Sequence, residues 1–419
     1  MRTTTQTPQP QQPVAWNQPT QTNPNQPARV NPNPDQFVPA GVRRMHDRMR
    51  ARMNQPVTID GIHARSLRRE GEFHLEAAPS GNQVQRILWT VATMACAAHT
   101  YHINKNCEAD PERPGALRIK EDRKNNITRL VSDEFEFYTQ HNQPLSTDDF
   151  QKIIEYIEEM AKNLQPNLVL ILASFPVLGD DGLVHNTIVH VQTGPSPAIN
   201  IFAKTTKAMC DPVYEGHDTA DLYTGQYYDQ QDPESAPPTL LSDQHGFTIP
   251  RNSVTKVRTV GGAEYYSLVD VCLDHSIGIA KKNLQHEISE RVRNSPLDLI
   301  PNQVSHVLTS SSFTPILEQT VGRMMMHADP DVEDFSKPAF QVRQDLSDDQ
   351  MAQINSAFGS FFVADPARPQ AAFAGDRSTL VVSHPDFGND LEFAFLAPYG
   401  LDRLPGAFID NAERELQPA

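Results

Sequence analysis

The run Y-S-L-V-D-V-C-L-D-H-S-I-G, from Tyr266 to Gly278, carries the side chain with the most reactive chemistry in its best position, Cys272. Val269, Val271 and Leu273 alternate with Asp270, Cys272 and Asp274, which is the period of a β-strand, and a turn with Gly278 then leads into a helical stretch at Ala280–Arg291. A thiol at a strand end is held on a rigid backbone, and the helix that follows offers N–H groups to a developing oxyanion. The competing reading is a small buried hydrophobe, the usual fate of a free cysteine.

Other stretches carry candidate chemistry. Cys96, His99, His102 and Cys107 are spaced C-x2-H-x2-H-x4-C, the ligand inventory of a structural zinc site. If the apolar run Val84–Ala98 continues as a strand, positions 96 and 102 face one way and 99 and 107 the other, so no metal site is expected. Lys204 ends the apolar run of N-I-F-A-K, where a lysine either snorkels outward or is buried for a reason. In I-T-R-L-V-S-D-E-F-E-F-Y, at 127–138, Glu134 and Glu136 fall where a strand ends.

The elements that must position these groups alternate between strands and helices. Val84–Ala98 reads as a buried strand, or as a strand leading into a helix, and 111–126 reads as an exposed loop. Ser146-x-x-Asp149 is an acidic capping box that starts an amphipathic helix at Thr147, with Phe150, Ile153, Ile154, Ile157 and Met160 on one face. Three strands follow at 168–177, 183–192 and 199–205, with turns at Gly179–Gly182 and Gly194–Pro197. Residues 211–252 lack periodicity and read as a long surface insertion of the kind that often forms a lid. Beyond Cys272, a strand is expected at 303–309, a helix at 314–325, a short helix at 348–358, and strands at 378–383 and 391–396.

Composition excludes several classes. A net charge of -16 argues against a nucleic-acid partner. The 4 cysteines are too few and scattered for a disulfide framework, which points to folding in a reducing compartment. No apolar run reaches the length of a membrane span, and no charged-then-apolar secretory signal opens the chain. The first 39 residues are Gln, Pro, Asn and Thr with few aliphatics, a composition of disorder that resembles the secretion signals of bacterial type III and type IV effectors. Residues 42–53, with five arginines, read as a short basic helix.

Five local patterns, in order, resemble the nitrilase, or carbon–nitrogen hydrolase, superfamily: L-V-S-D-E-F-E-F, L-I-L-A-S-F, L-V-H-N-T-I-V, F-A-K-T and V-D-V-C-L-D-H. The resemblance spans about 84–329; Asp133 replaces the family's proline, and the long first helix is not evident. It implies an α/β fold, a four-layer αββα sandwich, with a disordered tail at 1–60, a catalytic domain at 61–330 and a C-terminal extension at 331–419 that packs on the domain or a partner subunit. It further implies Glu134 as general base, with Glu136 as a rival, Lys204 as the cation at the tetrahedral intermediate, with Lys207 a weaker rival, and Cys272 as nucleophile. Glu215 is the matching supporting glutamate, and Asn186, Asp274 and His275 are expected at the substrate. The reaction implied is hydrolysis of a small amide, nitrile or carbamoyl compound without a cofactor, by a homo-oligomer. The export-like tail adds a second expectation, an effector made in the bacterial cytoplasm and delivered into a host cell, active or retaining only the fold to bind a host protein.

Overall fold

The computed structural model describes residues 40–66, 69–70, 73–74, 83–138, 143–206, 216–217, 250–294, 299–329 except 312, 314, 323 and 324, and 372–408 except 374–378, 385–388 and 397. Two sheets lie face to face. The larger one runs, in spatial order, through Ala372–Phe373, Thr379–His384, Asn389–Phe395, Thr58–Ser66, Asn126–Ser132, Leu168–Leu178, Val184–Gln192 and Ala198–Ala203. Its central strands Thr58–Ser66, Asn126–Ser132 and Leu168–Leu178 are parallel. The smaller sheet runs Val254–Arg258, Glu264–Val271, Gln303–Thr309 and Met325–Ala328, the last three parallel.

Strand alternation divides the core into layers. On the strand Leu168–Leu178, Leu168, Leu170 and Leu172 pack with helices Gln83–Asn106 and Thr147–Asn163, whereas Val169, Ile171 and Ala173 meet Tyr265, Val269, Val271 and Val307 of the other sheet. Tyr266, Leu268 and Val304, on the outer face of the smaller sheet, pack on Ala280, Leu284 and Ile288 of helix Ile279–Asn294. The result is helix, sheet, sheet, helix: the four-layer αββα sandwich. No helix among the described residues is long and apolar enough to cross a membrane.

Several local expectations change. Val84–Ala98 is no strand but the middle of the 24-residue helix Gln83–Asn106, so a long first helix is present. It is covered nearly all round, so no 3.6-residue stripe marks it, and its alanines favour the helix. Cys96, His99 and His102 then lie at successive i+3 positions, where Nε2 of His99 accepts the Gln165 N–H (3.1 Å) and Nδ1 of His102 meets Thr128 Oγ1 (2.8 Å). Burial pushes the Cys96 thiol up to about 11 and the two imidazoles down to about 3 and about 4.

Part of the stretch expected as a disordered tail, from residue 40 on, holds the helix Ala40–Met53 and the start of the strand Thr58–Ser66. Within 111–126, Leu117–Ile119 pairs with Cys107–Ala109, so that stretch is not a plain loop. The helix expected at 314–325 is replaced by a single 3-10 turn, Leu317–Gln319, and the strand Met325–Ala328, because Gly322 sits at φ 91° and breaks any helix there. The C-terminal strands complete the sandwich rather than append to it: Asn389–Phe395 pairs with Thr58–Ser66, and Asp402–Arg403 with Gln303–Val304. The helix expected at 348–358 lies outside the described residues.

Candidate active site

Three acids within four positions find three different partners. After the strand Asn126–Ser132 the chain turns, with Phe135 at φ 63°, and all three carboxylates are fully buried. Asp133 is bonded to His63 Nε2. Glu136 accepts from the Ser66 hydroxyl (2.7 Å) and backbone N–H (3.3 Å). Glu134 instead faces Lys204: Nζ donates to Oε1 at 2.9 Å, and Asn186 Nδ2 donates to the same oxygen at 3.0 Å. Ser132 fixes this turn to the next strand, donating to the Ala173 carbonyl (2.9 Å) and accepting its N–H (2.8 Å), while the Phe135 N–H reaches Ser174 Oγ (3.2 Å).

Lys204 does not snorkel. It is 2% exposed, its ammonium lies 5.7 Å from the Phe135 ring centre, and its backbone N–H donates to Asn186 O at 2.8 Å. Arg251 donates through Nη1 to the Lys204 carbonyl, and Pro250 O accepts the Ala203 N–H (2.8 Å), so the described end of the 211–252 insertion lies against this strand end. Nearly all the rest of the insertion, including Glu215, lies outside the described residues, as does Lys207.

Cys272 follows the strand Glu264–Val271, buried at 5% exposure, and opens the 3-10 turn Cys272–His275 with φ at 47°. Left-handed backbone is unusual for a residue with a Cβ and needs over-determined surroundings. Here the surroundings supply it from both sides. Asp274 accepts the N–H groups of Thr205 (3.0 Å) and Thr206 (2.8 Å) and the Thr206 hydroxyl (2.8 Å), tying the cysteine turn to the two residues after Lys204. Val271 pairs in register with Thr309, whose hydroxyl donates to Ser132 O (2.8 Å), two residues before Glu134. These links gather the ends of the Glu134, Lys204 and Cys272 strands at one end of the sandwich.

Beneath the cysteine turn, Asp270 Oδ2 lies 2.9 Å from both His275 Nδ1 and His306 Nε2, and Oδ1 accepts the Ala280 N–H (2.8 Å) at the start of the following helix. Burial opposes the charge of Asp270, but the bonds to His275 and His306 outweigh it and hold the carboxyl well below the usual carboxylate range. The three side chains have the inventory of a two-histidine, one-carboxylate metal site, with ligand atoms within 4.8 Å of one another. The hydrogen bonds do not fit a metal. Nδ1 of His306 accepts the Val321 N–H at 3.0 Å, which puts the ring proton on Nε2, where a metal would need a bare nitrogen. The cluster is a hydrogen-bonded brace for the turn.

Two residues expected at the substrate have partners within the protein. His275 is fully buried between Asp270 and the Ile316 carbonyl (3.1 Å), and Asp274 is spent on Thr205 and Thr206. Asn186 orients Glu134 through Nδ2, while its buried Oδ1 has no donor among the described residues. The sequence reading missed His63, Asp270 and His306. The signal available was a charged or imidazole residue inside an apolar strand, as in V-D-V and S-H-V, without any spacing to link them.

Asp274 gives a pH test. Burial pushes its carboxyl up to about 7, against the Thr205 and Thr206 donors and the Lys204 charge. An unfolded aspartate ionises near pH ~4. Between these values the unfolded chain has lost a proton that the folded chain keeps, so this group's contribution to stability falls as pH rises from about 4 to about 7, by at most about 4 kcal/mol, and is constant above. Denaturant midpoints of wild type and Asp274→Asn across that range are expected to converge at the acid end and to favour the variant at neutral pH. Parallel curves would show that Asp274 is ionised throughout.

No protein-family model matches the chain, and no curated protein matches it. Among solved structures it is similar to one described as the crystal structure of an N-terminal amidase, at 11% identity and a TM-score of 0.27, over 61% of this chain and 48% of that one. The chain thus spans about half the length of that protein, and a likeness so slight carries no argument about activity. What the fold and the site define by themselves is a four-layer α/β protein with a buried glutamate–lysine pair, its lysine strand end tied through Asp274 to a tight turn that a cysteine opens.

Proposed function

We propose that the chain is a thiol-dependent carbon–nitrogen hydrolase acting on a small amide, nitrile or carbamoyl compound, with Glu134, Lys204 and Cys272 as its catalytic residues. The observation that carries this reading is the fully buried Lys204–Glu134 pair, 2.9 Å apart, with the two residues after Lys204 bonded to Asp274 of the cysteine turn. Burying two charges costs several kcal/mol, and a fold that only needed packing would be served as well by apolar residues of the same volume. A thiol nucleophile needs that pair: a carboxylate to take its proton and a fixed cation for the oxyanion it creates.

For an amide, Glu134 takes the Cys272 proton and the sulfur adds to the carbonyl carbon. Lys204 neutralises the oxygen as it becomes negative. Collapse breaks the C–N bond, Glu134 returns its proton to the leaving nitrogen, and a thioester remains on Cys272. Glu134 then takes a proton from water, whose oxygen displaces the sulfur, and the acid and free thiol are regenerated. Asn186 Nδ2 holds the carboxylate in place, and its Oδ1 is offered to a substrate N–H.

Alkylation tests the poise of the thiol. Cys272 is expected to react with iodoacetamide at least about tenfold faster than Cys96, whose thiol burial suppresses, and Glu134→Gln should remove the difference. Equal rates at the two cysteines would leave an inert fold that binds a partner as the better reading.

A further inference from the structure

Arg129 lies on the strand Asn126–Ser132, five positions before Glu134, and it heads the largest fully buried side chains among the described residues. It points between the two sheets, on the same face as Ile127 and Val131. Nη1 donates to Ser305 Oγ at 2.5 Å, Nη2 donates to the Tyr265 hydroxyl at 3.1 Å, and the guanidinium carbon stands 5.7 Å from the Tyr265 ring centre. All of these partners are neutral. No carboxylate among the described residues pairs with Arg129, and the groups that act on its charge are the phenols of Tyr265 and Tyr399.

The neighbours do not supply the missing charge. Burial raises the Tyr265 phenol, so it is not a phenolate at neutral pH. Burial and the Arg129 charge together lower His190, on the same sheet and bonded to Ser267 of the other, to about 3, so that ring is neutral too. Among the described residues, two buried donors also lack an acceptor, Arg129 Nε and the Tyr399 hydroxyl. A guanidinium is always charged, and a buried charge without a counter-ion is among the most expensive groups a fold can hold. Water would satisfy the hydrogen bonds but not the charge.

We propose that the protein binds a small monovalent inorganic anion, of the halide class, between its two sheets at Arg129 Nε and the Tyr399 hydroxyl. One cation sets the charge of the ligand at one. Enclosure between sheets about 10 Å apart sets its size. The site is separate from the Glu134–Lys204 pair, so it serves as an internal counter-ion that locks the sandwich rather than as a part of the reaction.

The test uses the full chain with chloride exchanged for gluconate at constant ionic strength. The thermal midpoint is expected to rise saturably with chloride or bromide, by about 2–4 °C at saturation. Arg129→Met should abolish that response and, without halide, melt no lower than wild type. In wild-type crystals soaked in bromide, an anomalous peak should lie within hydrogen-bond reach of Arg129 Nε and Tyr399 Oη. Should Arg129→Met fail to fold, the bromide map and the halide response of Tyr399→Phe, expected to be weakened, decide. A midpoint indifferent to halide, a response retained in Arg129→Met, or bromide found only at the surface would each overturn the proposal.

Discussion

Cys272→Ala is expected to abolish turnover, a loss on the order of 10⁴-fold or more, while the folded state persists. The thiol is small and nearly buried, at 5% exposure, and its turn is held by Asp274 and by Asp270 with its two histidines. Alanine should therefore cost no more than about 2 kcal/mol of stability, as for other small truncations in a core. Glu134→Gln should lose about as much activity as Cys272→Ala, because groups that act as a unit are far from additive. Glu136→Gln should instead act on stability, since that carboxylate accepts from the Ser66 hydroxyl and backbone N–H. Steady-state kinetics and denaturant melts on the three variants check the set. Activity surviving in Glu134→Gln but lost in Glu136→Gln would move the base by two residues.

Lys204→Met should carry the largest stability effect in the molecule. Removing the ammonium takes away the cation 2.9 Å from a fully buried Glu134 carboxylate, which keeps the neutral donor Asn186. Breaking a buried pair in this way costs about 3–5 kcal/mol, because the surviving charge keeps its desolvation penalty and loses its partner. The double variant Lys204→Met/Glu134→Gln should recover most of that loss, which a cycle of urea denaturation curves would read directly. Turnover should be lost in both. A cost under about 1 kcal/mol for Lys204→Met would mean that the pair is solvated and behaves like a surface salt bridge.

Much of the candidate site could be proposed along the chain because each of the three proposed residues follows an apolar strand, and strand ends are where a rigid sheet presents side chains to a pocket. Glu134 follows I-T-R-L-V-S, Lys204 follows A-I-N-I-F-A, and Cys272 follows Y-Y-S-L-V-D-V. The helix at Thr147 was equally plain, since Ser146 does accept the Asp149 N–H (3.1 Å) and one face alone is apolar. The elements that escaped had their periodicity hidden by burial. Helix Gln83–Asn106 is covered on nearly every side, so it lacks a stripe. Strand Thr58–Ser66 carries Asp60, His63 and Arg65, which look solvated until their partners Lys105, Asp133 and Glu392 arrive from distant segments. The same long range hid the Asp270 brace, whose His306 comes from the neighbouring strand, and the neutral setting of Arg129, whose partners belong to the opposite sheet. Spacing can reveal neighbours on one element, but not the pairing of two elements.

Intact-mass spectrometry of the protein during turnover tests the central claim most directly. Mixed with a panel of small amides, nitriles and carbamoyl compounds and quenched in acid, the chain is expected to gain the mass of one acyl group, or of one thioimidate for a nitrile. Peptide mapping should place that mass on Cys272, Cys272→Ala should show none, and Glu134→Gln should form the adduct far more slowly. Turnover of any of these compounds with no mass on Cys272, or with the same turnover in Cys272→Ala, would contradict the account.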